Sequence, residues 1–420
     1  MLVRSGSKAD VLTARDMILV TWLISAAMAG CWRLQIPHPE STPSQTLAAL
    51  ASAAPPTWDV YGDFDEQSYL RDFEAALAKE LGCEDAVFLP SGVMAQSIAL
   101  LIHSSATQRK TFACHSTSHL LLHEQEGFRE LLGMEALVVP RRNVMRDGFP
   151  AGVPLTMHDV RDTLEAASIP PGREVSTLIL EHPHREIGGK LTSWEDLQAI
   201  SAYCRSHNIR FHLDGARLFE ASASSGRSLA EVASLFDSIY VSFYKGLGGM
   251  AAAALLGSSG FCAQARVWLR RFGGNLFTLL PYVVSAQEGY KRHWLLESSA
   301  AMTFRDKYEK MKKLVKTLSA DSEISSVVTF DPTVPETNMV HGYFRHKKDT
   351  VLDAVRCVSE ETGIEVLSRV RDVAPDQPIA AAGYCSMFEW SIGEGNGVLE
   401  DSVFVEGWKK LSGKLLSSDI

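Results

Sequence analysis

The sequence predicts an α/β fold with a mostly parallel sheet, joined to a smaller α+β domain. Short apolar runs alternate with segments of helical periodicity from about residue 86 to residue 257, a pattern typical of parallel sheets. From about residue 298 the pattern changes to a long charged helix, two strands, a helix and a final β region. We therefore predict an N-terminal arm over residues 1–57, a large domain over 58–300 and a small domain over 301–420.

The periodicity of the apolar residues places the individual elements. Residues 69–81 carry leucine and phenylalanine at helical spacing and end at Gly82, which favours the left-handed backbone of a helix C-terminus. Residues 33–59 contain five prolines and are expected to form an arm with one short helix over about 44–52. The other expected strands are 86–90, 136–140, 176–184, 209–214, the strand before Lys245, 251–257, 327–330, 340–345 and 387–392, and the other expected helices begin at about residue 91 or span 158–167, 194–207, 304–319 and 350–362.

Composition excludes several classes of function. The chain has 420 residues, of which 46% are hydrophobic, and a formal net charge of −9. It has no basic run, so we expect no nucleic-acid partner. The seven cysteines are scattered and none has CxxC spacing, which favours a reducing compartment over a disulfide framework or a zinc site. We therefore expect a cytoplasmic protein.

The N-terminus carries an apolar stretch that needs separate treatment. Residues 17–29 follow several basic residues and end in small ones, as in a signal peptide. Asp10 and Asp16 lie in the basic part, and the stretch is too short to span a bilayer. We expect a packed N-terminal helix or an imperfect gene model, and a soluble protein without a membrane partner. A targeting signal is the alternative.

A lysine that follows an apolar run and precedes glycines indicates a site. The stretch runs from Asp237 to Gly249 and carries Lys245. Burial beside apolar residues removes water from an ammonium group, so its pKa falls and the amine becomes nucleophilic. Such an amine is what a pyridoxal phosphate enzyme requires. The alternative is a lysine that points to solvent at the end of a strand.

Two other segments fit the same chemistry. Asp214 and Arg217 lie just past a predicted strand, and a carboxylate beside the pyridine nitrogen of pyridoxal phosphate keeps that nitrogen protonated. The alternative is an isolated Asp-Gly turn. Ser91 and Gly92 stand between a strand and a helix, where free backbone N–H groups suit a phosphate. An ordinary N-cap by Ser91 is the alternative there.

The candidate residues converge in the expected topology. Gly92, His184, Asp214 and Lys245 all lie at the carboxyl ends of predicted strands. Open α/β sheets bind ligands at this edge. The sequence therefore predicts one site that contains all four.

Two further patterns have simple interpretations. His115, His119 and His123 would share one face if the segment were helical, but no HExxH motif or cysteine pair accompanies them, so no metal is predicted. Stacking of an imidazole on a flat cofactor is the preferred use. The glycine-rich run 393–397 lacks the strand and helix of a phosphate loop and is expected to be a surface turn.

Several segments resemble the L-threonine aldolase / β-eliminating lyase family of fold-type I pyridoxal phosphate enzymes. The most specific are HLDGARLFEA (212–221) and SFYKGLGG (242–249). The resemblance spans about residues 58–300 and also covers VYGD (60–63), VFLPSGVMAQ (87–96), HLLLHEQEG (119–127) and LEHPHREIGGKL (180–191). It implies the aspartate aminotransferase fold, with a mostly parallel seven-stranded sheet in the large domain, and pyridoxal 5'-phosphate as cofactor.

The resemblance also implies a role for each matching residue. Lys245 would be the Schiff-base lysine and Asp214 the partner of the pyridine nitrogen. His119 would stack on the ring and act as, or position, a base. Arg217 would lie near the cofactor or the substrate carboxylate, with His184 close by as a further catalytic candidate. The phosphate would be held by Ser91, Gly92, Val93 and Ser242.

Three departures from the family pattern affect substrate binding. Val93 replaces the usual threonine, so backbone amides would have to hold the phosphate without that hydroxyl. The usual N-terminal serine segment is missing, and residues 31–33 occupy that region. The C-terminal arginine that grips the substrate carboxylate is absent from residues 383–390. We therefore hypothesise that Arg33 binds the carboxylate, since a guanidinium is its natural clamp.

The resemblance implies a carbon–carbon lyase that acts on a small amino acid. Family members cleave β-hydroxy-α-amino acids, typically threonine, to glycine and an aldehyde. They are commonly homodimers or homotetramers with active sites across the interface. Racemisation of an alanine-type amino acid or β-elimination would use the same lysine and aspartate and stays open. A catalytically inert regulator or scaffold with this fold is the alternative from another class.

Overall fold

The computed structural model describes residues 32–58, 68–166, 174–296 and 301–418. In chain order, its strands are β1 (Trp32–Arg33), β2 (Asp85–Leu89), β3 (Thr111–His115), β4 (Glu135–Val139), β5 (Asn143–Arg146), β6 (Phe149–Gly152), β7 (Val175–Glu181), β8 (Arg210–Gly215), β9 (Ser238–Ser242), β10 (Ala253–Gly257), β11 (Val328–Asp331), β12 (Met339–Phe344), β13 (Ile364–Glu365), β14 (Arg371–Asp372) and β15 (Ser386–Ser391).

In the same order, the α-helices are α1 (Pro43–Ala53), α2 (Tyr69–Leu81), α3 (Gly92–Thr107), α4 (His119–Leu122), α5 (Gly127–Glu130), α6 (Met157–Ala166), α7 (Trp194–Ser206), α8 (Leu218–Ser225), α9 (Leu229–Ala233), α10 (Ser259–Arg271), α11 (Leu280–His293), α12 (Phe304–Ala320), α13 (Ser322–Val327), α14 (Lys348–Thr362), α15 (Pro378–Ala381), α16 (Glu394–Gly397) and α17 (Asp401–Ser418).

Seven strands form one mostly parallel sheet in the order β2-β10-β9-β8-β7-β3-β4. Strand β10 is antiparallel to both of its neighbours, whereas β9, β8, β7, β3 and β4 run parallel. All seven residues of β7 are buried, as expected for a central strand covered on both faces. The predicted α/β fold class with a mostly parallel seven-stranded sheet is confirmed.

Most predicted elements are present, with ends displaced by one to three residues. The strand predicted over 176–184 ends earlier, at Glu181. The chain turns there, and residues 185–187 form a single 3₁₀ turn that ends at Gly188, whose φ of 83° suits glycine. Because the strand ends at Glu181, His184 lies beyond it and not at its carboxyl end as predicted.

Two sequence interpretations are wrong in local structure. His115, His119 and His123 do not share a helix face, because His115 ends β3 and α4 spans only His119–Leu122. The run 393–397 is not a surface turn. Its residues 394–397 form the short helix α16, and all four of these are buried.

The C-terminal part forms a second core around an antiparallel sheet in the order β11-β12-β15-β14. Helices α12, α14 and α17 supply apolar side chains to this core. Trp390 and Trp408, both nearly fully buried, lie near its centre with ring centroids 6.2 Å apart. The core of the large sheet is a separate cluster that runs from Leu70 to Phe304.

The first described residues of the arm pack on the C-terminal core, and its helix α1 packs on a helix of the large sheet's core. Trp32 of β1 pairs with Ile364 of β13, and Leu34 is fully buried in the C-terminal core. Its carbonyl oxygen accepts hydrogen bonds from Trp390 Nε1 at 3.0 Å and from Asn396 Nδ2 at 2.9 Å. Helix α1 then packs against α11.

Some sequence interpretations fall on residues outside the described ranges. These are the apolar stretch 17–29 and the VYGD segment 60–63, and each of the two predicted domain boundaries, 57/58 and 300/301, adjoins residues that are not described. The boundaries stay predictions. Among the described residues, no helix combines the length and the hydropathy that crossing a membrane requires.

A buried ion pair joins the segment after β7 to the C-terminal sheet. Lys190 Nζ donates to both carboxylate oxygens of Asp331 at 2.8 Å and to the carbonyl oxygen of Gly152 at 2.6 Å. Both charged residues are 2% exposed. A Cβ atom on Gly188 would lie 2.3 Å from the carbonyl oxygen of Asp331, so glycine permits this approach.

We predict that Asp331→Asn strongly destabilises the protein. The substitution leaves the Lys190 ammonium buried without its counter-ion, a change that costs about 3–5 kcal/mol of unfolding free energy. Thermal unfolding followed by circular dichroism measures the effect. Asp353→Asn, which removes an exposed pair with Arg356, is the control and should leave the midpoint almost unchanged. Equal midpoints for the two variants would contradict the prediction.

Candidate active site

The N-terminus of α3 forms one wall of the site. Ser91 Oγ accepts a hydrogen bond from the backbone N–H of Met94 at 3.3 Å, as a helix N-cap does. The first backbone N–H groups of the helix, at Gly92 and Val93, have no carbonyl partner within it. A Cβ atom on Gly92 would lie 2.1 Å from the Tyr240 hydroxyl oxygen, so only glycine fits. Ser91 therefore caps a helix whose start can bind an anion.

Ser242 ends β9 at the same level of the sheet. Ala253 of β10 pairs with Leu89 of β2 on one side and with Ser242 on the other. The Ser242 hydroxyl is buried near the Tyr240 phenol and, among the described residues, has no hydrogen-bond partner of ordinary geometry. A buried hydroxyl in this condition costs free energy, which a ligand oxygen would recover.

Asp214 lies at the end of β8 and is 4% exposed. One carboxylate oxygen accepts from Gln96 Nε2 at 2.7 Å and the other from the backbone N–H of Ala216 at 3.1 Å. Burial and the neighbouring Glu181 carboxylate raise the pKa of Asp214 to about 6. A cation placed against Asp214 would therefore gain a strong partner.

Lys245 follows β9 in the turn that begins the glycine-rich segment. Its Nζ lies 5.8 Å from the centroid of the Tyr244 ring. Burial and the Arg217 guanidinium lower the pKa of Lys245, while Asp214 opposes the shift. The amine is therefore more readily available as a nucleophile than that of an exposed lysine.

His119 begins α4 and faces the same pocket as Asp214 and Lys245. Its backbone N–H donates to Glu181 Oε1 at 2.8 Å, and its Nδ1 lies 2.9 Å from Glu124 Oε1. The hydrogen bond to Glu124 raises the pKa of His119, although burial opposes this. Because Glu124 accepts the Nδ1 proton, Nε2 is the nitrogen left to accept a proton from a ligand.

His184 lies behind the wall of the site. Its Nε2 is 2.9 Å from Thr117 Oγ1, and its ring meets that of His115 edge-on at 4.6 Å. Burial lowers the pKa of His184 to about 4. Its neighbours Pro183 and Arg185 line the pocket, whereas His184 does not. The structure therefore does not bring His184 to Lys245, because the chain turns after Glu181.

Arg185 and Arg217 reach the pocket from two segments and share one carboxylate. Arg185 Nε is 2.7 Å from Glu389 Oε2, and Arg217 Nη2 is 3.2 Å from Glu389 Oε1. Arg217 Nη1 is buried without a hydrogen-bond partner among the described residues. Although burial opposes it, the two guanidinium groups hold the pKa of Glu389 below its usual value. Glu389 thus fixes both arginines at the pocket.

Arg33, the hypothesised carboxylate clamp, lies elsewhere. Its guanidinium pairs with Glu40 and, at 3.2 Å, with Glu365 of β13. In the described part of the chain, it lines neither of the two cavities that meet at Lys245. The structure therefore places Arg33 on the arm's contact with the C-terminal core.

Two cavities meet at Lys245. The inner pocket is lined by Gly92, Gln96, His119, Asp214, Arg217 and Lys245, among others. The outer cavity has a volume of about 470 Å³, shares Arg217, Tyr244 and Lys245 with the inner pocket, and is bounded by residues 37–50 of the arm and 391–394 of the C-terminal part. Its buried charged groups are Glu220, Lys307 and Glu394.

Sequence reasoning missed several residues of the site. Gln96, Glu124, Glu181, Arg185 and Glu389 all contact a predicted site residue or line the inner pocket. The helical position of Gln96, four residues after Gly92, and the position of Arg185 next to His184 were signals that could have identified two of them. Glu389 had no local signal, because its partners are distant in sequence.

The residues present fit pyridoxal 5'-phosphate. The helix start at Gly92 matches a phosphate, as does the Ser242 hydroxyl, which lacks a hydrogen-bond partner of ordinary geometry among the described residues. The Asp214 carboxylate matches a protonated pyridine nitrogen. The Lys245 amine matches an aldehyde. Gly92, Asp214, Lys245 and His119 line the inner pocket, and Ser242 ends β9 three residues before Lys245 without lining the pocket itself.

Comparisons with known proteins agree with this geometry. The family model described as beta-eliminating lyase matches residues 41–345. The low specificity L-threonine aldolase of Escherichia coli strain K12 is 30% identical over 56% of this chain and 65% of its own length.

Solved structures are similar over most of the chain. One is a candidate aromatic amino acid beta-eliminating lyase/threonine aldolase from an Exiguobacterium species, with 34% identity, a TM-score of 0.76 and coverage of 94% of this chain and 99% of that one. Another is a candidate L-allo-threonine aldolase of Listeria monocytogenes, with 31% identity, a TM-score of 0.77 and the same coverage. The chain therefore belongs to the beta-eliminating lyase family, with the threonine aldolases among its relatives.

Proposed function

We propose that this protein is a pyridoxal phosphate-dependent lyase that cleaves the Cα–Cβ bond of a β-hydroxy-α-amino acid to give glycine and an aldehyde. The observation that carries the proposal is the convergence of Lys245, Asp214 and His119 on one pocket. A nucleophilic amine, a buried carboxylate and a base are the groups that this reaction requires. Membership of the family supports the same reaction type.

The chain's own residues would hold the cofactor at three points. The start of α3 and Ser242 would bind the phosphate, and Lys245 the aldehyde carbon. Asp214 would hold the proton on the ring nitrogen, because its carboxylate is buried and lines the same pocket as Lys245. When bound, the cofactor supplies the electron sink that bond cleavage at Cα needs.

His119 is the proposed base. Glu124 accepts the Nδ1 proton and so directs the Nε2 lone pair toward a ligand. In our proposal His119 Nε2 takes the proton from the β-hydroxyl group as the carbonyl of the aldehyde forms. The hydrogen bond to Glu181 from the His119 backbone fixes the start of α4 and with it the position of the ring.

Arg185 and Arg217 are the proposed anchors of the substrate carboxylate. Both line the inner pocket with Lys245, whereas Arg33 does not. Glu389 holds the two guanidinium groups, and Arg217 keeps one buried nitrogen without a partner in the described residues. A planar guanidinium is the preferred partner of a carboxylate.

The outer cavity would take the side chain beyond the β-carbon. Its volume of about 470 Å³ is ample for a group larger than the methyl of threonine. The cavity opens beside Lys245, which places it next to the reacting atoms. We therefore propose that β-hydroxy amino acids with bulky side chains are accepted.

We also propose a homodimer or homotetramer with active sites at the interface. Support comes from exposed apolar side chains next to the site, namely Val93 (43%), Tyr244 (39%) and Met250 (49%), which a second copy would cover. A cytoplasmic location is likewise a proposal, since residues 17–29 lie outside the described ranges.

We predict that Lys245→Ala abolishes the absorbance band of bound pyridoxal phosphate and all turnover. The substitution removes the amine that binds the cofactor's aldehyde. The absorbance spectrum of the dialysed protein shows whether pyridoxal phosphate is bound. Circular dichroism shows whether the variant is folded. Lys316→Ala, at an exposed position of α12, should retain the band. An unchanged band in the Lys245 variant would contradict the assignment.

We predict that Glu124→Gln moves the acid limb of kcat/KM toward lower pH. The base must be neutral, so activity falls as pH drops through the pKa of His119, which the hydrogen bond to Glu124 raises. Without that carboxylate the pKa of His119 falls. A pH profile with phenylserine measures the limb. Glu126→Gln, which removes an exposed carboxylate paired with Arg129, is the control, and identical limbs in both variants would refute the role of Glu124.

We predict that Arg185→Ala raises KM by about 10- to 100-fold, because a charge-assisted hydrogen bond to the substrate is lost. Steady-state kinetics with L-threonine and phenylserine measures it. Arg129→Ala, at an exposed arginine, is the control. Arg33→Ala tests the earlier hypothesis. A raised KM in the Arg33 variant together with an unchanged KM in the Arg185 variant would reverse our assignment.

A further inference from the structure

A buried chain of four hydrogen bonds runs from the interior of the large sheet to Asp214. His103 Nε2 lies 2.6 Å from Ser238 Oγ, and Ser238 Oγ lies 2.7 Å from His212 Nδ1. His212 Nε2 lies 2.8 Å from Gln96 Oε1, and Gln96 Nε2 lies 2.7 Å from Asp214 Oδ2. None of the five side chains is more than 4% exposed. We call these five residues the relay.

Secondary structure places the relay on one face of the sheet. His212 and Asp214 are two residues apart on β8, so both side chains point to the same face. Ser238 of β9 is the register partner of His212. Gln96 and His103 are seven residues apart on α3, two helical turns, and α3 packs on these strands.

The chemistry of the groups fixes the direction of every hydrogen bond. A carboxylate only accepts, so the Gln96 amide nitrogen donates to Asp214 and the amide oxygen must accept from His212 Nε2. Burial lowers the pKa of His212 and of His103 to about 3, so each ring is neutral and carries one proton. His212 Nδ1 therefore accepts from Ser238, and Ser238 accepts from His103 Nε2.

We propose that the relay is a positioning device that keeps Asp214 ionised and oriented for the ring nitrogen of the cofactor. All four donors point toward the carboxylate, so each hydrogen bond polarises the next one and the last acts on Asp214. The purpose of the relay, which is to hold Asp214 ready for the cofactor, rests on the proposed function. The effect of the relay on the ionisation of Asp214 does not depend on that function.

The relay counteracts the groups that disfavour the ionised form of Asp214. Burial and the Glu181 carboxylate disfavour the ionised form, while Lys245 and His119 favour it. The relay adds a neutral donor on the side away from the pocket, where no cation could be placed without burying a second charge. At its far end, His103 stacks on Phe261 at 5.2 Å, and Arg210 is the charged group that acts on its ring.

Ser238→Ala tests the relay with the smallest change in volume. The protein without cofactor is labelled with ¹³C at aspartate side-chain carboxyls, and the Asp214 signal is assigned with Asp214→Asn. NMR titration then gives the midpoint for Asp214, whose pKa burial raises to about 6 in the intact chain. Cutting the relay weakens the donor to the carboxylate, so the midpoint rises.

Ser176→Ala is the matched control. Ser176 is fully buried on β7 of the same sheet and donates to the carbonyl oxygen of Thr111 at 2.8 Å, outside the relay. We expect no shift in this variant. Gln96→Met removes the last donor with little change in shape, and its midpoint should rise by about one unit or more.

A second measurement connects the relay to the cofactor. Pyridoxal phosphate is titrated into each protein at several pH values and followed by absorbance. In the two relay variants, the loss of affinity at low pH should begin at a higher pH than in the wild type and Ser176→Ala. A merely structural role would weaken binding equally at every pH.

The outcomes separate the two proposals. Unshifted Asp214 midpoints in both Ser238→Ala and Gln96→Met would overturn the relay, whatever the cofactor does. If the wild type binds no pyridoxal phosphate, the proposed function fails and the NMR titration still decides the relay. If Gln96→Met does not fold, Ser238→Ala decides alone.

Discussion

A carboxylate buried at the end of β8 constrains the structure around it. Asp214 is removed from water in a region that also buries Glu181, so its charge must be met by donors and by a cation. Helix α3 meets the first need through Gln96, and the same helix presents its N-terminus to the inner pocket. One element thus sets the carboxylate and the anion site together, which fixes the distance between the two ends of any ligand that uses both.

A second set of charges joins the C-terminal sheet to the site. Glu389 of β15 lies between two arginines of the large sheet's loops, and Arg371 of β14 reaches Glu186 at 3.2 Å. Together with the buried pair of Lys190 and Asp331, these contacts tie both sheets at the edge where the site lies. The position of the arginines that face Lys245 therefore depends on the C-terminal sheet as much as on the segments that carry them.

The fold and the main site residues could be predicted because their signals are local. Asp214 lies at the end of an apolar strand, Gly92 and Lys245 follow two others, and the carboxyl ends of parallel strands meet at one edge. His184 was placed by the same rule, but the chain turns at Glu181 and its ring meets Thr117 instead. Gln96 and Arg185 had local signals in their positions beside Gly92 and His184, whereas Glu389 could not be predicted, since its partner Arg217 is more than a hundred positions away. Arg33 was chosen as the carboxylate clamp because the family's usual anchors are missing from the sequence. The absence of those residues does not indicate where a replacement arginine lies in the structure.

The formation of the outer cavity depends on the order in which its residues are synthesised, because the arm forms part of its wall. Its wall at Pro37 and His38 rests on residues 393–395, where a Cβ atom on Gly393 or Gly395 would lie 2.2 Å or 2.6 Å from a backbone oxygen of the arm. The Leu34 carbonyl is held by Trp390 and Asn396. During synthesis the large sheet can therefore form early. The arm can take its final position only after residues 390–396 have left the ribosome. The cavity beside Lys245 requires residues 391–394, so a chain truncated before them cannot complete its wall.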